Sequence, residues 1–237
     1  MKIDLGKYDH IMLDMNGTFL MDFDRFDESQ NFGETYVKTG YSNLSEEDSN
    51  ECVRKAYEYM AVRYVDEAYY HRFPSVQHSI NATSAEELRP EVVEELTDTF
   101  ALHELGVLPE THKRALDLLA DKYPLSVLSN LWAPKTRWLA KLPSWGINQH
   151  FKALHFSSDG DEMKPHPAFF KRALTDLELA PKQVLYVGDS YRCDVMGAIK
   201  AEVDVVWLAG NKPDVPHQKG HIATCIDLPD FASRMIR

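Results

Sequence analysis

Residues 8–18 read YDHIMLDMNGT, in which a short apolar run stops at Asp14 and at the turn pair Asn16-Gly17. A short apolar run bounded by turn residues is typical of a buried β-strand. Four further runs along the chain have the same character, and the tail at residues 222–226 could add a last strand. The five main predicted strands are residues 8–13, 125–128, 153–156, 184–187 and 203–208.

Helical patterns lie between these runs. Residues 110–122 follow Pro109, which suits the first position of a helix. Residues 167–177 place apolar side chains at helical spacing, and residues 191–201 follow a Gly-Asp-Ser turn. Short strands that alternate with helices imply right-handed crossovers and a parallel sheet. We therefore predict an α/β fold, with a Rossmann-like parallel sheet flanked by helices.

The charge of the chain is concentrated in one internal segment. The 237 residues carry 26 Lys and Arg against 37 Asp and Glu, a net charge of −11. Residues 20–108 hold 7 of these cations and 19 of these acids, or −12, and the remainder is close to neutral at +1. Ser45 and Ser84 each begin a pattern that resembles the capping box of a helix. We predict a helical cap at 20–108, inserted into an α/β catalytic core formed by 1–19 and 109–237.

The composition argues against several classes of protein. Hydrophobic residues make up 44% of the chain and charged residues 27%, which is typical of a globular protein. The sequence has no run of 18 apolar residues that could span a membrane, and its acidity argues against nucleic-acid binding. Residues 1–14 lack an apolar signal core, and Cys52, Cys193 and Cys225 are too widely spaced for a disulfide framework. We therefore expect a cytoplasmic monomer or homodimer.

Polar residues follow four of the predicted strands. Ligands of open parallel sheets bind at the carboxyl ends of the strands, so these residues should meet at one edge. One Asp at a strand end would usually be a turn or cap residue, whereas four converging edges indicate a functional site. The residues are Asp14 and Asn16, Ser129 and Asn130, Lys164, and Asp189 with Asp194.

The same residues resemble the four ordered motifs of the haloacid dehalogenase superfamily. The motifs are DMNGT at 14–18, SN at 129–130, KP at 164–165 and GDSYRCD at 188–194. Their order and spacing together are specific, and the resemblance covers the whole chain, because the insert after the first motif is similar to the helical cap of that family. It implies a Mg²⁺-dependent hydrolase, in particular a phosphatase that acts on a small phosphorylated molecule through an aspartyl-phosphate.

The resemblance assigns a nucleophile and a metal site. Asp14 would attack phosphorus, which splits one difficult displacement into two easier ones. An anion that attacks an anion needs its charge neutralised, so a hard divalent cation held by oxygen ligands is expected. Asp14, Asp189 and the backbone carbonyl of Asn16 would hold Mg²⁺, with Asp194 as a direct or water-mediated ligand.

It also assigns the residues that bind the phosphoryl group. Lys164 would neutralise both the phosphoryl group and the nucleophile. Ser129 would bind the phosphoryl oxygens together with nearby backbone N–H groups, and Asn130 would contribute to substrate binding.

One residue departs from the phosphatase pattern. The pattern has Asp two residues after the nucleophile, where this chain has Asn16. That Asp protonates the leaving oxygen and later activates water, and such acid–base catalysis contributes about 10²–10⁴-fold to the rate. The amide of Asn16 cannot supply this acid–base catalysis. We therefore favour a phosphorylated substrate whose leaving group departs without protonation.

Two other interpretations stay open. One is a non-phosphatase reaction of the family, either carbon–halogen or phosphonate cleavage. The acidic pair Asp189 and Asp194 is not needed by a metal-independent dehalogenase, and the predicted cap offers only Lys38 and Lys55 for a Schiff base. The other is a regulatory pseudo-phosphatase that binds a phosphorylated ligand, which would not need the nucleophile Asp14.

The acidic cap bears on the choice of substrate. Its field extends over about a Debye length of 8–10 Å and repels polyanions. We therefore expect substrates with one phosphate and a neutral or cationic remainder. The aromatic residues between Tyr57 and Phe73 are interpreted mainly as packing, with a minority that could face the site.

Overall fold

The computed structural model describes residues 6–211 and 219–235. Its six strands form one parallel sheet in the order β3-β2-β1-β4-β5-β6. This confirms the predicted Rossmann-like α/β fold. The strands are β1 (His10–Leu13), β2 (Leu125–Ser129), β3 (Phe151–Phe156), β4 (Val184–Gly188), β5 (Asp204–Leu208) and β6 (His221–Cys225).

Helices connect the strands and cover both faces of the sheet. The predicted helices at 110–122 and 167–177 form as α5 and α7, although Pro109 is the N-cap of α5 and not its first residue. The predicted helix at 191–201 begins with a five-residue π-helical turn, Tyr191–Val195. The α-helices are α1 (Phe32–Lys38), α2 (Glu46–Tyr64), α3 (Val76–Thr83), α4 (Pro90–Glu104), α5 (Glu110–Ala120), α6 (Thr136–Trp145), α7 (Pro167–Asp176), α8 (Met196–Lys200) and α9 (Leu228–Met235).

The central strand β1 is buried on both faces. Successive side chains of a strand point to opposite faces, and Ile11 and Leu13 belong to one apolar cluster while Met12 belongs to the other. A strand buried on both sides reads as a continuous apolar run, which is why β1 could be predicted from its sequence. Its position at the centre of the sheet places Asp14, the residue after it, at the middle of the carboxyl edge.

Residues 20–108, which we call the helical segment, contain α1 to α4 and a 3₁₀ turn, Glu67–Tyr69. The chain leaves the sheet at Met21 and returns at Val107, and these two residues exchange backbone hydrogen bonds of 2.8 and 2.7 Å. The apolar cluster on one face of the sheet continues into this segment. The division into core and cap stays a prediction, and its core also includes residues 1–5, 212–218 and 236–237, which lie outside the described residues.

The two predicted helix starts in this segment have different outcomes. Ser45 is the N-cap of α2, and its hydroxyl accepts a hydrogen bond from the backbone N–H of Asp48 at 3.0 Å. The prediction at Ser84 was wrong: Ser84 ends α3, and its hydroxyl donates to the carbonyl of Ile80 at 2.7 Å. Helix α4 begins at Pro90 instead, because proline is well suited to the first helical position and keeps the preceding residue extended.

A helix that crosses a membrane must be both long and apolar. Across residues 6–211 and 219–235, no helix meets both requirements for crossing a membrane.

Candidate active site

The carboxyl edge of the sheet brings the predicted site residues together. All of them line one cavity of about 160 Å³, which opens between the sheet edge and the helical segment. The cavity therefore collects residues that are up to 180 positions apart in the sequence, as the parallel topology predicts. They are Asp14, Asn16, Ser129, Asn130, Lys164, Asp189 and Asp194.

Asp14 is fixed at the centre of this cavity. Its backbone N–H extends the sheet by donating to Val187 at 2.9 Å. Its Oδ1 accepts hydrogen bonds from Ser129 Oγ at 2.8 Å and from Lys164 Nζ at 2.6 Å. Burial raises the pKa of the Asp14 carboxyl, the ammonium of Lys164 opposes this rise, and the negative charge of Asp194 adds to it.

Lys164 joins two of the carboxylates. It is only 2% exposed, and its Nζ donates to Asp14 Oδ1 at 2.6 Å, to Asp194 Oδ1 at 2.7 Å and to Tyr186 Oη at 2.9 Å. Burial alone would lower the pKa of Lys164, but the negative charges of Asp14 and Asp194 outweigh burial and raise it above its ordinary value. The lysine therefore stays an ammonium ion, as a buried charge with paired partners can.

Asp14, Asp189 and Asp194 form a cluster whose carboxylate oxygens lie within 4.8 Å of one another. Oxygen ligands of this kind suit Mg²⁺. The side-chain Oδ1 of Asn16 is buried beside them and has no hydrogen-bond partner among the described residues. An all-oxygen donor set with an unsatisfied buried oxygen next to it fits a hard divalent cation.

The backbone of the first motif packs directly against this cluster. Gly17 has a φ of +84°, and a Cβ built on it would lie 2.6 Å from the carboxylate of Asp189. A Cβ on Gly188 would collide with the carboxylate of Asp194 in the same way. Only glycine allows both close approaches.

Asp194 and Asn130 have contacts that hold the site in place. Asp194 is fully buried, and its Oδ2 accepts a hydrogen bond from the backbone N–H of Ser190 at 2.8 Å while its Oδ1 faces Lys164. The side-chain amide of Asn130 forms two hydrogen bonds with the backbone of Lys164. Its Oδ1 accepts from Lys164 N at 2.8 Å, and its Nδ2 donates to the carbonyl of Lys164 at 3.0 Å. Their predicted roles in metal and substrate binding stay predictions.

A family model of haloacid dehalogenase-like hydrolases matches residues 11–208. The chain belongs to this family. The match includes all seven residues of the predicted site, and it confirms the resemblance that the four motifs indicate.

The curated relatives match shorter stretches of this chain than the family model does. It is 36% identical to a phosphoserine phosphatase of Thermus thermophilus over 77 residues, which are 32% of this chain and 31% of the relative. The chain spans less than half the length of the curated relatives that it matches.

Two solved structures cover almost the whole chain. A HAD phosphatase from Thermococcus onnurineus superposes with a TM-score of 0.61 at 20% identity, over 96% of this chain and 97% of the other. A 2-haloacid dehalogenase from Pseudomonas syringae pv. Tomato DC3000 superposes with a TM-score of 0.63 at 18% identity, over 97% and 99%. At this identity they show a shared fold, and a fold that serves both reactions does not choose between them.

The helical segment reaches the site through the end of α2. Tyr64 Oη accepts a hydrogen bond from Asn130 Nδ2 at 3.2 Å. Arg192, from the fourth motif, donates to Tyr70 Oη at 2.7 Å and to the carbonyl of Tyr64 at 3.2 Å. Sequence reasoning treated these tyrosines mainly as packing residues and gave Arg192 no role.

A second cavity of about 270 Å³ adjoins the first and has mostly aromatic walls. We call it the aromatic cavity. The ring of Tyr57 stacks on Phe26 with a centroid distance of 4.6 Å and on Trp132 at 5.7 Å, and Trp132 contacts Tyr64 at 5.2 Å. Its lining residues are Asp24, Phe26, Tyr57, Ala61, Tyr64 and Trp132.

Two acidic residues near the two ends of the helical segment line the site although the sequence analysis assigned them no role. Glu104, at the end of α4, accepts hydrogen bonds from the backbone N–H groups of Trp132 at 2.7 Å and Ala133 at 2.9 Å. Burial and the charge of Asp24 raise the pKa of Glu104 to about 8. Asp24 lines both cavities, and burial by the surrounding protein together with the charge of Asp14 raises its pKa to about 7. Neither acid belongs to a recognisable motif, so no sequence pattern indicates a role for them.

Proposed function

We propose that this protein is a Mg²⁺-dependent phosphatase that acts on a small organic phosphate through an aspartyl-phosphate on Asp14. One observation carries the proposal: Asp14 is held by Ser129 and Lys164 in a cavity that also contains Asp189 and Asp194. A buried carboxylate next to a lysine and further carboxylates has the parts that phosphoryl transfer needs, namely an oxygen nucleophile and positive charge at the transferred group. The similarity to a phosphoserine phosphatase supports the same choice.

The first step would be attack by a carboxylate oxygen of Asp14 on phosphorus, with cleavage of the bond from phosphorus to the leaving oxygen. Ser129 and Lys164 fix the carboxylate at 2.8 and 2.6 Å, so it is oriented before substrate arrives. In the second step water would attack the aspartyl-phosphate, which releases phosphate and restores Asp14.

Mg²⁺ would be held by Asp14, Asp189 and the backbone carbonyl of Asn16, with Asp194 as a direct or water-mediated ligand. When bound, it supplies positive charge to the phosphoryl oxygens. Lys164 supplies a second positive charge, and its contacts with Asp194 and Tyr186 prevent it from moving away from Asp14.

The helical segment would act as the cap of the site. Its contacts to the sheet edge through Tyr64 and Tyr70 place aromatic walls above the phosphoryl cavity. The leaving group of the substrate would occupy the aromatic cavity, and the acidity of the segment favours a substrate with one phosphate and a neutral or cationic remainder. We also propose that the protein acts in the cytoplasm, as a monomer or homodimer.

The test uses 4-nitrophenyl phosphate and O-phosphoserine with and without Mg²⁺. We expect Mg²⁺-dependent turnover that Asp14→Ala abolishes, together with a phosphorylated protein after acid quench of the unaltered chain. Asp159→Ala is the matched control, because Asp159 lies in the loop after β3 and pairs with Lys135 at the surface. Equal rates for Asp14→Ala and the unaltered protein would sink the proposal.

A further inference from the structure

The two adjoining cavities locate the bond that the reaction would break. If phosphorus binds next to Asp14, the leaving group must extend into the aromatic cavity, and the oxygen between them lies where the cavities meet. Three residues line both cavities: Asp24, Tyr64 and Trp132. The candidates for proton exchange with the leaving oxygen are these three residues and Asn16. Glu104 also lines the first cavity, but its two carboxylate oxygens already accept from the backbone N–H groups of Trp132 and Ala133.

Three of these four residues cannot exchange a proton near neutral pH. The amide of Asn16 does not titrate, and the indole of Trp132 is a hydrogen-bond donor only. The hydroxyl of Tyr64 is shared with Asn130 Nδ2 at 3.2 Å and Cys193 Sγ at 3.6 Å, and burial raises its pKa well above the ordinary value. The carboxyl of Asp24 is left.

We propose that Asp24 is the acid–base catalyst of this site and takes the part that Asn16 cannot play. The inference rests on the proposed phosphatase function. In the first step the bond from Asp14 to phosphorus forms, the bond from phosphorus to the leaving oxygen breaks, and protonated Asp24 gives its proton to that oxygen. In the second step ionised Asp24 takes a proton from water as its oxygen attacks phosphorus, the bond from phosphorus to Asp14 breaks, and Asp24 is protonated again.

The backbone holds Asp24 firmly at this place. Its N–H donates to the carbonyl of Glu104 at 3.4 Å, and its own carbonyl accepts from Phe26 N at 3.0 Å. The next residue, Arg25, donates to the carbonyls of Leu102 and Leu105 at 2.7 and 3.0 Å. These bonds attach the backbone around Asp24 to the end of α4. Protein surrounds Asp24, but the residue stays accessible at the wall of both cavities, so a substrate can reach it.

The charges around Asp24 suit both halves of the cycle. The negative charges of Asp14 and Glu104 act on Asp24, the positive charge of Arg25 opposes them, and the phenol of Tyr57 lines the aromatic cavity beside it. The surrounding protein and the negative charge of Asp14 raise the pKa of Asp24 above its ordinary value, which favours the protonated carboxyl that the first step needs. An acid–base group is most effective when its pKa lies near the working pH.

The experiment compares Asp24→Asn with Asp22→Asn. Both residues have positive φ values, +51° and +53°, which asparagine tolerates well, so neither change strains the backbone. With O-phosphoserine, whose alkoxide is a poor leaving group, we expect Asp24→Asn to lower turnover by about 10²–10⁴-fold and Asp22→Asn to leave it unchanged. Circular dichroism and a melting curve check the fold, and Asp24→Gly provides a second variant that also accepts a positive φ.

4-Nitrophenyl phosphate separates the two half-reactions. Its leaving group needs no proton, so Asp24→Asn should release one equivalent of nitrophenolate quickly and then accumulate the aspartyl-phosphate, which acid quench traps. Equal loss with both substrates and no trapped intermediate would overturn the inference, as would rates equal to those of Asp22→Asn. If the unaltered protein hydrolyses neither ester with Mg²⁺, the proposed function itself fails.

A double-mutant cycle with Asn16→Asp tests whether the Asp24→Asn variant has lost acid–base catalysis. Asn16→Asp should raise O-phosphoserine turnover by about 10²-fold in the Asp24→Asn background and by less than about 10-fold in the unaltered protein, because the two acids would perform the same step. Equal gains in both backgrounds would show that Asp24 does another task.

Discussion

The sheet edge and the helical segment use acidic residues in opposite ways. At the sheet edge, Asp14 and Asp194 are buried and share the ammonium of Lys164 at 2.6 and 2.7 Å, so one cation offsets part of their combined charge. The helical segment carries a net charge of −12, and acids such as Glu46 and Glu47 on its first long helix are exposed to solvent. The net charge of this protein therefore bears on how ligands approach it, while its chemistry depends on a small group of buried charges at the sheet edge.

The largest effect should come from breaking the pairing at the sheet edge. Lys164→Met leaves Asp14 and Asp194 without their cation, so we expect turnover to fall by about 10²–10³-fold and the free energy of unfolding to fall by about 3 kcal/mol. Turnover assays and urea unfolding measure both. Lys135→Met is the control, since Lys135 pairs with Asp159 near the surface, where an ion pair contributes less than about 1 kcal/mol. Similar losses in the two variants would remove the distinction between buried and surface charge.

The next effect concerns pH. His10, in β1, is buried against Ser126 with Nε2 to Oγ at 2.9 Å, and burial with the charges of His155 and Lys152 lowers its pKa to about 4. In the unfolded chain His10 has its ordinary pKa of about 6.5, so below that pH the unfolded state binds a proton that the folded state does not. The contribution of His10 to the free energy of unfolding is therefore fully present above pH 6.5 and is lost as the pH falls toward 4. The loss due to His10 should be about 2 kcal/mol at pH 5.

Urea unfolding at pH 7 and pH 5 tests this expectation. His10→Gln should lose less stability between the two pH values than the unaltered protein. The exposed His78 of the helical segment provides the control, and His78→Gln should follow the unaltered protein. An unchanged pH dependence for His10→Gln would contradict the prediction.

A smaller effect should follow from loosening the contact between the two regions. Arg192→Met removes the bonds to Tyr70 Oη and to the carbonyl of Tyr64, so the end of α2 is held less firmly over the site. We expect KM to rise by about 10-fold, as the loss of hydrogen bonds from a charged group implies. Arg63→Met is the matched control, since Arg63 stacks on Tyr59 at 3.4 Å within the helical segment. A comparable rise in KM for Arg63→Met would show that contacts inside the segment matter as much.

The smallest effect should come from the surface charge. Raising the ionic strength from about 0.02 M to about 0.3 M shortens the range of the field around the helical segment. We expect kcat/KM for a bisphosphate to rise about 3-fold relative to a monophosphate ester of similar size, measured in parallel assays. A constant ratio would mean that the acidic segment does not select against polyanions.

Much of the α/β architecture could be predicted because β1, β2, β4 and β5 are buried on both faces and so read as apolar runs. Strand β3 has more exposed positions, and it begins at Phe151, two residues before the predicted start. Helix α6 contains Pro143, which interrupts the helical pattern, and the sequence analysis did not predict it.

The site could be predicted where residues follow strands and not where they depend on the packing of the helical segment. Asp14 and Asp189 come directly after β1 and β4, so the parallel topology alone brings them together, and Lys164 reaches the same edge from the segment between β3 and α7. Asp24 and Glu104 come together where the chain after β1 packs against the end of α4, through the backbone bond from Asp24 to Glu104 and the bonds that Arg25 donates there. No sequence period specifies that contact, since it depends on how a helix packs against a loop.

The two glycines beside the acidic cluster have a consequence for other sequences of this fold. At Gly17 and Gly188 the space next to a carboxylate accommodates a hydrogen atom and nothing larger. A methyl group at either position would displace Asp189 or Asp194 while leaving every acid of the chain in place. A sequence can therefore keep all of its ligand residues and still lose the arrangement, so the volume at these two positions is as informative as the identity of the acids.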